Sequence, residues 1–241
     1  MKFLLIGGLG DSIESLRPWM NALVLNHQQC QYIPVAVTGN SGFDHRVKRL
    51  RSHLAQEGRP VCIIGQSAGA LAALIVASDS PAMVKGVIAV SPAMPKGISP
   101  LSLPLLSVMW KYYHHMCMNH LIEVTAKDYT KLALNGVLEP KIILESRDKI
   151  SGLEANELAT DSLQPRLGEI YVPVVHLYGT KDHWVSPRAQ RKLSRLLGNK
   201  SVSIAINDAG HLPAHQLEGE KTVETALREL SQLITTFGAR T

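Results

Sequence analysis

The stretch Val61–Gly69, which reads Val-Cys-Ile-Ile-Gly-Gln-Ser-Ala-Gly, constrains the fold more than any other part of the sequence. Its apolar first half is typical of a buried strand, and the stretch that follows it, Ala70–Ala77, predicts a buried helix. A strand, a tight turn and a helix in this order predict a nucleophile elbow at Gly-x-Ser-x-Gly. Such a turn brings the helix close to the strand, so the residues two positions either side of Ser67 must be small. We expect Ser67 to be a nucleophile, and the alternative is that it only caps the helix.

Length and composition indicate one soluble domain with room for an insertion. The chain has 241 residues, of which 45% are hydrophobic and 19% charged. The net charge of +5 permits an anionic partner, but the densest basic cluster, Arg46–Arg51, has helical spacing, and we interpret it as a solvated helix face. No apolar run approaches the roughly 18 residues that a membrane span requires. Widely spaced cysteines in no metal-binding pattern indicate reduced thiols and a cytoplasmic location: Cys30, Cys62 and Cys117.

Apolar segments alternate with helical segments along most of the chain. The predicted strands are Lys2–Ile6, Tyr32–Val37, Val61–Ile64, Val84–Val90, Val172–Tyr178 and Ser201–Ile206. The predicted helices lie near Ser15–Asn26, Asp44–Glu57, Ala70–Ala77, Pro187–Leu197 and Leu217–Phe237. Continuous apolar strands between helices indicate an α/β fold with a mostly parallel sheet covered on both faces. We assign this core to residues 1–92 and 170–241.

Residues 93–169 break the alternation and predict a helical insertion. The segment opens with a proline-rich run over 94–104 and continues with pieces rich in Leu, Met, Tyr and His. A segment of this length would be anomalous as a loop. Because it follows the carboxyl end of a strand, we expect a lid over the edge of the sheet where ligands bind. Some of its apolar side chains must bury against the core, and the candidates for substrate contact are Met109, Trp110 and Tyr113.

An acidic and a basic side chain follow two later strands. Asp182 follows the predicted strand that ends at Tyr178, and His211 follows the one that ends at Ile206. A serine hydroxyl is a poor nucleophile at neutral pH, so we expect His211 to take its proton. We expect Asp182 to fix the tautomer of the imidazole and to stabilise the imidazolium.

Other residues of the same types leave alternatives open. Asp208 competes with Asp182 for the role of acid, and His215 competes with His211 for the role of base. We interpret His176 as a hydrogen-bonded core residue and His183 as a surface or pocket-rim residue. A further group of histidines lacks carboxylate or thiolate partners at suitable spacing, so we expect no metal there: His114, His115 and His120.

The segment Gly7-Gly8-Leu9-Gly10, after the first predicted strand, has two interpretations. A dinucleotide-binding fingerprint would need a third glycine at position 13, which is occupied by Ile13. The segment does suit an oxyanion loop, since its glycines let the backbone approach a substrate and the N–H of Leu9 can join that of Ala68. We also expect Gly8 and Gln66 to contact the substrate.

With these motifs, the chain resembles an α/β-hydrolase-fold serine hydrolase. The matches are Gly7–Gly10, Gly65–Gly69, Asp182 and Gly210-His211, and the order of serine, acid and histidine is that of the family's triad. The resemblance covers essentially the whole chain and implies an eight-stranded, mostly parallel sheet. There are two departures. Gly7 stands where many relatives carry a histidine, and the sequence starts at the family's third strand, so we expect about six strands.

The resemblance implies an enzyme of the carboxylesterase, lipase or thioesterase type. We expect it to cleave an ester or thioester with an apolar acyl or alcohol part through an acyl-enzyme on Ser67, with no cofactor. The expected partner is a small-molecule substrate, without nucleic acid or stable membrane insertion, and the protein is expected to be a monomer or homodimer. Acyl transfer, ring closure and carbon–carbon bond hydrolysis could use the same residues. A hydrolase-fold binding protein with an unused triad is the other alternative.

Overall fold

Six parallel strands form one sheet at the centre of the fold, with helices on both sides. The computed structural model describes residues 1–8, 13–35, 42–93, 170–182, 185–216 and 218–238. The strands in these ranges are β1 (Lys2–Ile6), β2 (Gln29–Tyr32), β3 (Val61–Gln66), β4 (Val84–Val90), β5 (Val174–Gly179) and β6 (Ser201–Ile206). The α-helices are α1 (Arg17–Leu25), α2 (Phe43–Gln56), α3 (Ala68–Asp79), α4 (Pro187–Leu197) and α5 (Gly219–Gly238). The predicted α/β class and the parallel sheet are confirmed.

The strand order, β2-β1-β3-β4-β5-β6, places β1 and β3 side by side. Leu4 of β1 pairs with Gln31 of β2 on one side and with Ile63 of β3 on the other. From β1 the chain adds β2 on one side and then crosses over to the other side of β1, where β3 to β6 follow in order. Ligands of open parallel sheets bind beyond the carboxyl ends of the strands at such a reversal. Gly7-Gly8 and Ser67 follow these two strand ends directly.

The core consists of two apolar layers, one on each face of the sheet. One layer, from α1 and α5, includes Trp19 and Leu230. The other layer packs beneath α2, α3 and α4. Every residue of α3 from Ala68 to Ala77 is buried, because this helix lies against β3 and β4 and beneath α2. The strands in the centre of the sheet are apolar on both faces because helices cover the sheet on both sides.

The second strand lies earlier in the sequence than predicted. The prediction of Tyr32–Val37 is wrong, because the backbone pairing with β1 covers Gln29–Tyr32. Ile33 and Val35, beyond the last residue of β2, are buried. The N–H of Ile33 still donates to the Leu5 carbonyl of β1 at 2.8 Å. Pairing with β1 therefore begins three residues before the predicted strand, at residues that the apolar pattern does not mark.

The basic cluster on α2 is only partly a solvated face. Lys48 and Arg51 are exposed, as predicted. The interpretation is wrong for Arg46, which is completely buried. Phe43 lies three residues before Arg46 and Leu50 four residues after it, and side chains at that spacing share one face of a helix. α2 therefore carries a guanidinium group into the apolar layer between helix and sheet.

Some expectations concern residues outside the described ranges. The residues concerned belong to the insertion beyond Ala93: Met109, Trp110, Tyr113, the histidines at 114, 115 and 120, and Cys117.

The two cysteines that are described, Cys30 and Cys62, are free thiols, and burial raises the pKa of Cys62 to about 12. Within the described ranges, no helix combines the length and apolar character needed to cross a membrane.

His176 of β5 belongs to a buried hydrogen-bond network, which confirms its interpretation as a core residue. Its Nε2 lies 2.9 Å from Oε1 of Gln190 on α4, and it is completely buried. The amide nitrogen of Gln190 in turn donates to the carbonyl oxygen of Pro92 at 3.1 Å. Since the Gln190 oxygen can only accept, Nε2 of His176 carries a proton. Burial lowers the pKa of His176 to about 4, so the ring is neutral near pH 7.

We expect this network to make stability depend on pH. In the unfolded chain a histidine titrates near pH 6.5, so between pH 6.5 and 4 the unfolded state binds more protons at His176 than the native state does. The His176 contribution to the free energy of unfolding is full above that window and falls by about 3 kcal/mol as the pH drops through it. Urea unfolding of wild type and His176→Gln at several pH values isolates this contribution from the carboxylates. A stability difference between the two proteins that stays constant from pH 7 to pH 4 would contradict the prediction.

Candidate active site

Ser67 stands between the last residue of β3 and the first residue of α3 with a backbone conformation that side chains rarely adopt. Its φ is 54° and its ψ is −118°. A non-glycine residue in this region costs on the order of 1–3 kcal/mol and persists only when its surroundings hold it. Here the N–H of Ser67 donates to the Val90 carbonyl at 2.8 Å, and its carbonyl accepts from the N–H of Ala93 at 3.1 Å. Both flanking peptides are thus tied to the segment at the end of β4.

Three glycines permit this turn because atoms of neighbouring residues occupy the space that their side chains would take. A Cβ on Gly69 would lie 2.3 Å from the carbonyl oxygens of both Ile6 and Gly7. A Cβ on Gly65 would lie 2.5 Å from the Gly69 carbonyl oxygen. A Cβ on Gly8 would lie 2.8 Å from Cβ of Ser67. The predicted need for small residues around the serine is therefore confirmed, and it extends to the segment after β1.

Backbone hydrogen bonds continue across the carboxyl edge of the sheet beyond the strands themselves. Ser91 N–H donates to the Leu177 carbonyl at 2.7 Å, which joins the ends of β4 and β5. Thr180 and Lys181 donate to carbonyls at and beyond the end of β6, at 3.0 and 2.8 Å. The first residues after β3, β4, β5 and β6 are consequently held together by these bonds.

Asp182 and His211 form a hydrogen-bonded pair on two of these loops. Nδ1 of His211 lies 2.8 Å from Oδ2 of Asp182, and Oδ1 of Asp182 accepts from the N–H of Val185 at 3.0 Å. The Asp182 side chain is fully buried, whereas the His211 side chain retains 17% exposure. Because a carboxylate only accepts, Nδ1 of His211 carries the proton, and the neutral ring then has its lone pair on Nε2. This arrangement can accept a proton at Nε2 and stabilise the resulting charge.

The competing residues occupy other positions. Asp208 lies in a turn with a φ of 60°, and its side chain is 78% exposed and paired with Lys181 at 2.8 Å. His215 is buried in a short 3-10 helix, where Nε2 lies 2.7 Å from the carbonyl oxygen of Ser15. Burial lowers the pKa of His215. Asp182 rather than Asp208 is thus the partner of His211, and His215 is bound elsewhere.

The remaining candidates are only partly described. Gln66 is buried at the end of β3, and Ala68 is buried at the start of α3. Leu9 and His183 lie outside the described residues. Over the described ranges, no group of three or more His, Cys, Asp or Glu side chains could hold a metal ion.

One residue beside the elbow was missed by the sequence analysis. Nη1 of Arg46 donates to the carbonyl oxygen of Gly7 at 2.8 Å. The available signal was its position, since Arg46 falls on the apolar stripe of α2 that includes Val47 and Leu50. A charged residue within an apolar stripe indicates a buried partner.

Comparison with known proteins gives a family for this chain. The family described as Serine aminopeptidase, S33, matches residues 43–222, which is more than half of the 241 residues. That range contains Ser67, Asp182 and His211. Among curated proteins, none matches this chain.

Solved structures with the same fold include several hydrolases. A monoacylglycerol lipase from Paleococcus ferrophilus is 18% identical, with a TM-score of 0.69 over 97% of this chain and 94% of that one. A carboxylesterase structure from Nitrososphaera gargenis is 16% identical, with a TM-score of 0.72 over 98% and 91%. An enol-lactonase from Burkholderia xenovorans LB400 is 18% identical, with a TM-score of 0.72 over 95% and 91%. At these identities the likeness concerns the fold.

The backbone contacts of Gly69 predict a sharp intolerance to substitution. We expect Gly69→Ala to lower the free energy of unfolding by about 3 kcal/mol or more, because its Cβ would meet backbone oxygens that cannot move aside. Urea denaturation measures the loss. The matched control is Gly58→Ala, where φ is +63° but no atom lies within 4 Å of the added Cβ, so the loss should be about 1–2 kcal/mol. Equal losses in the two variants would show that the elbow can relax around a side chain.

Proposed function

The chain belongs to the Serine aminopeptidase, S33, family of α/β hydrolases, and from that premise we propose that it is a serine hydrolase of carboxylic esters or thioesters. The observation that carries the proposal is the 2.8 Å hydrogen bond between Asp182 and His211, at the same sheet edge as the strained Ser67 elbow. A buried carboxylate that holds a partly exposed histidine in one tautomer is what a general base beside a nucleophile requires. A binding protein would need none of these three residues.

In the proposed mechanism, Ser67 forms a covalent acyl-enzyme. Its Oγ attacks the substrate carbonyl carbon while Nε2 of His211 takes the hydroxyl proton. The imidazolium, stabilised by Asp182, then donates that proton to the leaving oxygen or sulfur as the carbon–heteroatom bond breaks. Water, deprotonated by His211, attacks the acyl carbon and releases the acid and free Ser67.

The negative charge on the substrate oxygen calls for hydrogen-bond donors beside Ser67. We assign this role to the N–H groups of Ala68 and Leu9. Ala68 begins α3, and the first N–H groups of a helix have no partner within the helix and carry partial positive charge. Leu9 directly follows Gly8, whose backbone lies against Ser67. Donors of this kind each contribute about 10²–10³ in rate in serine hydrolases.

The proposed substrate has an apolar acyl or alcohol part. Support comes from the segment over 101–118, which is rich in leucine, methionine, tyrosine and tryptophan and follows β4 in sequence. Pockets for small molecules are mostly apolar with few polar groups, and methionine and aromatic side chains suit such walls. Among the structures of the same fold is a lipase that, by its name, acts on monoacylglycerols.

Ser67→Ala tests the nucleophile. We expect it to abolish ester hydrolysis and labelling by a fluorophosphonate probe while the protein stays folded, because alanine is as small as serine. Ser52→Ala, at an exposed position on α2, is the control and should keep both activities. Full hydrolysis by Ser67→Ala of a substrate that the wild type cleaves would refute the mechanism.

Asp182→Asn tests the orientation of His211. An asparagine amide can donate to Nδ1, which would place the imidazole proton on Nε2 and block its action as a base. We expect kcat to fall by about 10⁴, as in serine proteases with the equivalent change, with circular dichroism unchanged. A loss of less than tenfold would show that Asp182 does not orient the base.

A series of p-nitrophenyl esters tests the acyl preference. Each buried methylene contributes about 0.8 kcal/mol, so kcat/KM should rise roughly fourfold per added carbon from acetyl to hexanoyl. The slope is measured on one enzyme preparation, which removes differences in folding between samples. A flat or falling series would reject the apolar acyl pocket without affecting the assignment of Ser67.

A further inference from the structure

Arg46 is a cationic side chain in an apolar layer, and it contacts the segment that leads into the proposed oxyanion hole. It is 0% exposed, and its Nη1 donates to the Gly7 carbonyl at 2.8 Å. Around it on α2 and in the same layer, the buried residues are apolar: Phe43, Val47, Leu50 and Leu54. Burying a guanidinium group is unfavourable unless strong hydrogen bonds compensate, and its bonds to carbonyl oxygens are charge-assisted.

The accepting carbonyl belongs to a tightly confined piece of backbone. The Gly7 oxygen lies 2.3 Å from the place that a Gly69 Cβ would take, so it also borders the first turn of α3. The next residue, Gly8, borders Ser67, with 3.3 Å between the place of a Gly8 Cβ and Oγ of Ser67. Gly7-Gly8 is thus enclosed by α2, α3 and the nucleophile.

Two adjacent glycines would otherwise be the most adaptable part of the site. Glycine populates positive and negative φ about equally, so the direction of the chain after β1 is weakly specified by local preference. The peptide unit is planar, and fixing the Gly7 oxygen therefore also fixes the Gly8 nitrogen and its N–H. Leu9, whose nitrogen is bonded to the Gly8 carbonyl carbon, begins one residue further on.

We propose that Arg46 is a positioning residue for catalysis: its guanidinium anchors the Gly7 carbonyl and so holds Gly7-Gly8, and the donor that follows it, in register with Ser67. This inference rests on the proposed serine hydrolase function. Arg46 touches neither the substrate nor the reacting atoms in this role. It acts on the transition state, because the oxyanion exists only after Ser67 attacks.

The test replaces Arg46 with methionine, which keeps an unbranched apolar side chain but removes the donor. We expect kcat to fall by about 100-fold, as a displacement of about 1 Å at a reacting centre produces, with KM within about threefold of wild type. Binding of an aryl boronic acid, which forms a tetrahedral adduct on serine, should weaken by a similar factor to kcat. Arg46→Gln, whose amide is too short to reach Gly7, replaces the methionine variant if that variant does not fold.

Leu50→Ala is the matched control, because Leu50 is equally buried, lies one turn later on α2 and belongs to the apolar layer. It should lose stability by cavity formation yet retain kcat. A folded Arg46→Met with kcat within threefold of wild type, or a Leu50→Ala that loses kcat as strongly as Arg46→Met at similar stability, would overturn the inference.

A second measurement separates this inference from the proposed function. The carbonyl ¹³C resonance of Gly7 reports directly on the hydrogen bond that its oxygen accepts. In Arg46→Met we expect it to shift by clearly more than in Leu50→Ala, whether or not the wild type hydrolyses an ester. Absence of fluorophosphonate labelling in the wild type would refute the proposed function, and with it the catalytic role of Arg46, but not the anchoring of Gly7. An unshifted Gly7 resonance would refute the anchoring by Arg46 alone.

Discussion

A contact between backbone atoms, with no side chain between them, joins the start of α3 to the end of β1. Gly69 lies so close to the Ile6 and Gly7 carbonyls that a single methyl group would clash with both. The same first turn of α3 lies against Gly65, where a Cβ would meet the Gly69 carbonyl oxygen, so only glycine fits at position 65. The helix is apolar on every side because it lies between the sheet and α2. The arrangement places the first N–H groups of α3 beside the serine.

Buried polar side chains connect the segments around this contact. Arg46 joins α2 to the end of β1, and His176 joins β5 to α4 through Gln190. His215 joins the segment after β6 to the carbonyl of Ser15, which precedes α1. Each of these groups would be costly to bury alone, and each gains a partner from a segment distant in sequence. The polar groups in the core therefore specify how the loops are placed, while the apolar layers supply most of the stability.

The division between fold and specificity follows from this arrangement. The parallel sheet and its carboxyl edge fix the positions of Ser67, Asp182 and His211 through backbone bonds that do not depend on the substrate. Proteins with the same fold are named as a lipase, carboxylesterases and an enol-lactonase. A fold can host different activities because function resides in sites built on it. In this chain, we propose that the apolar segment between β4 and β5 supplies side chains to such a site.

The sequence alone determined the features that local pattern encodes. Strand periodicity predicted β1, β4 and β6 at their observed bounds, and the glycine spacing around Ser67 predicted a turn that only small residues permit. Tertiary structure alone decided which distant residues meet: that His211 pairs with Asp182 rather than Asp208, that β2 ends at Tyr32, and that Arg46 is buried. These outcomes depend on which strands become neighbours and on which carbonyl faces which donor. Such contacts join residues far apart in the chain, and no local pattern of residue types specifies them.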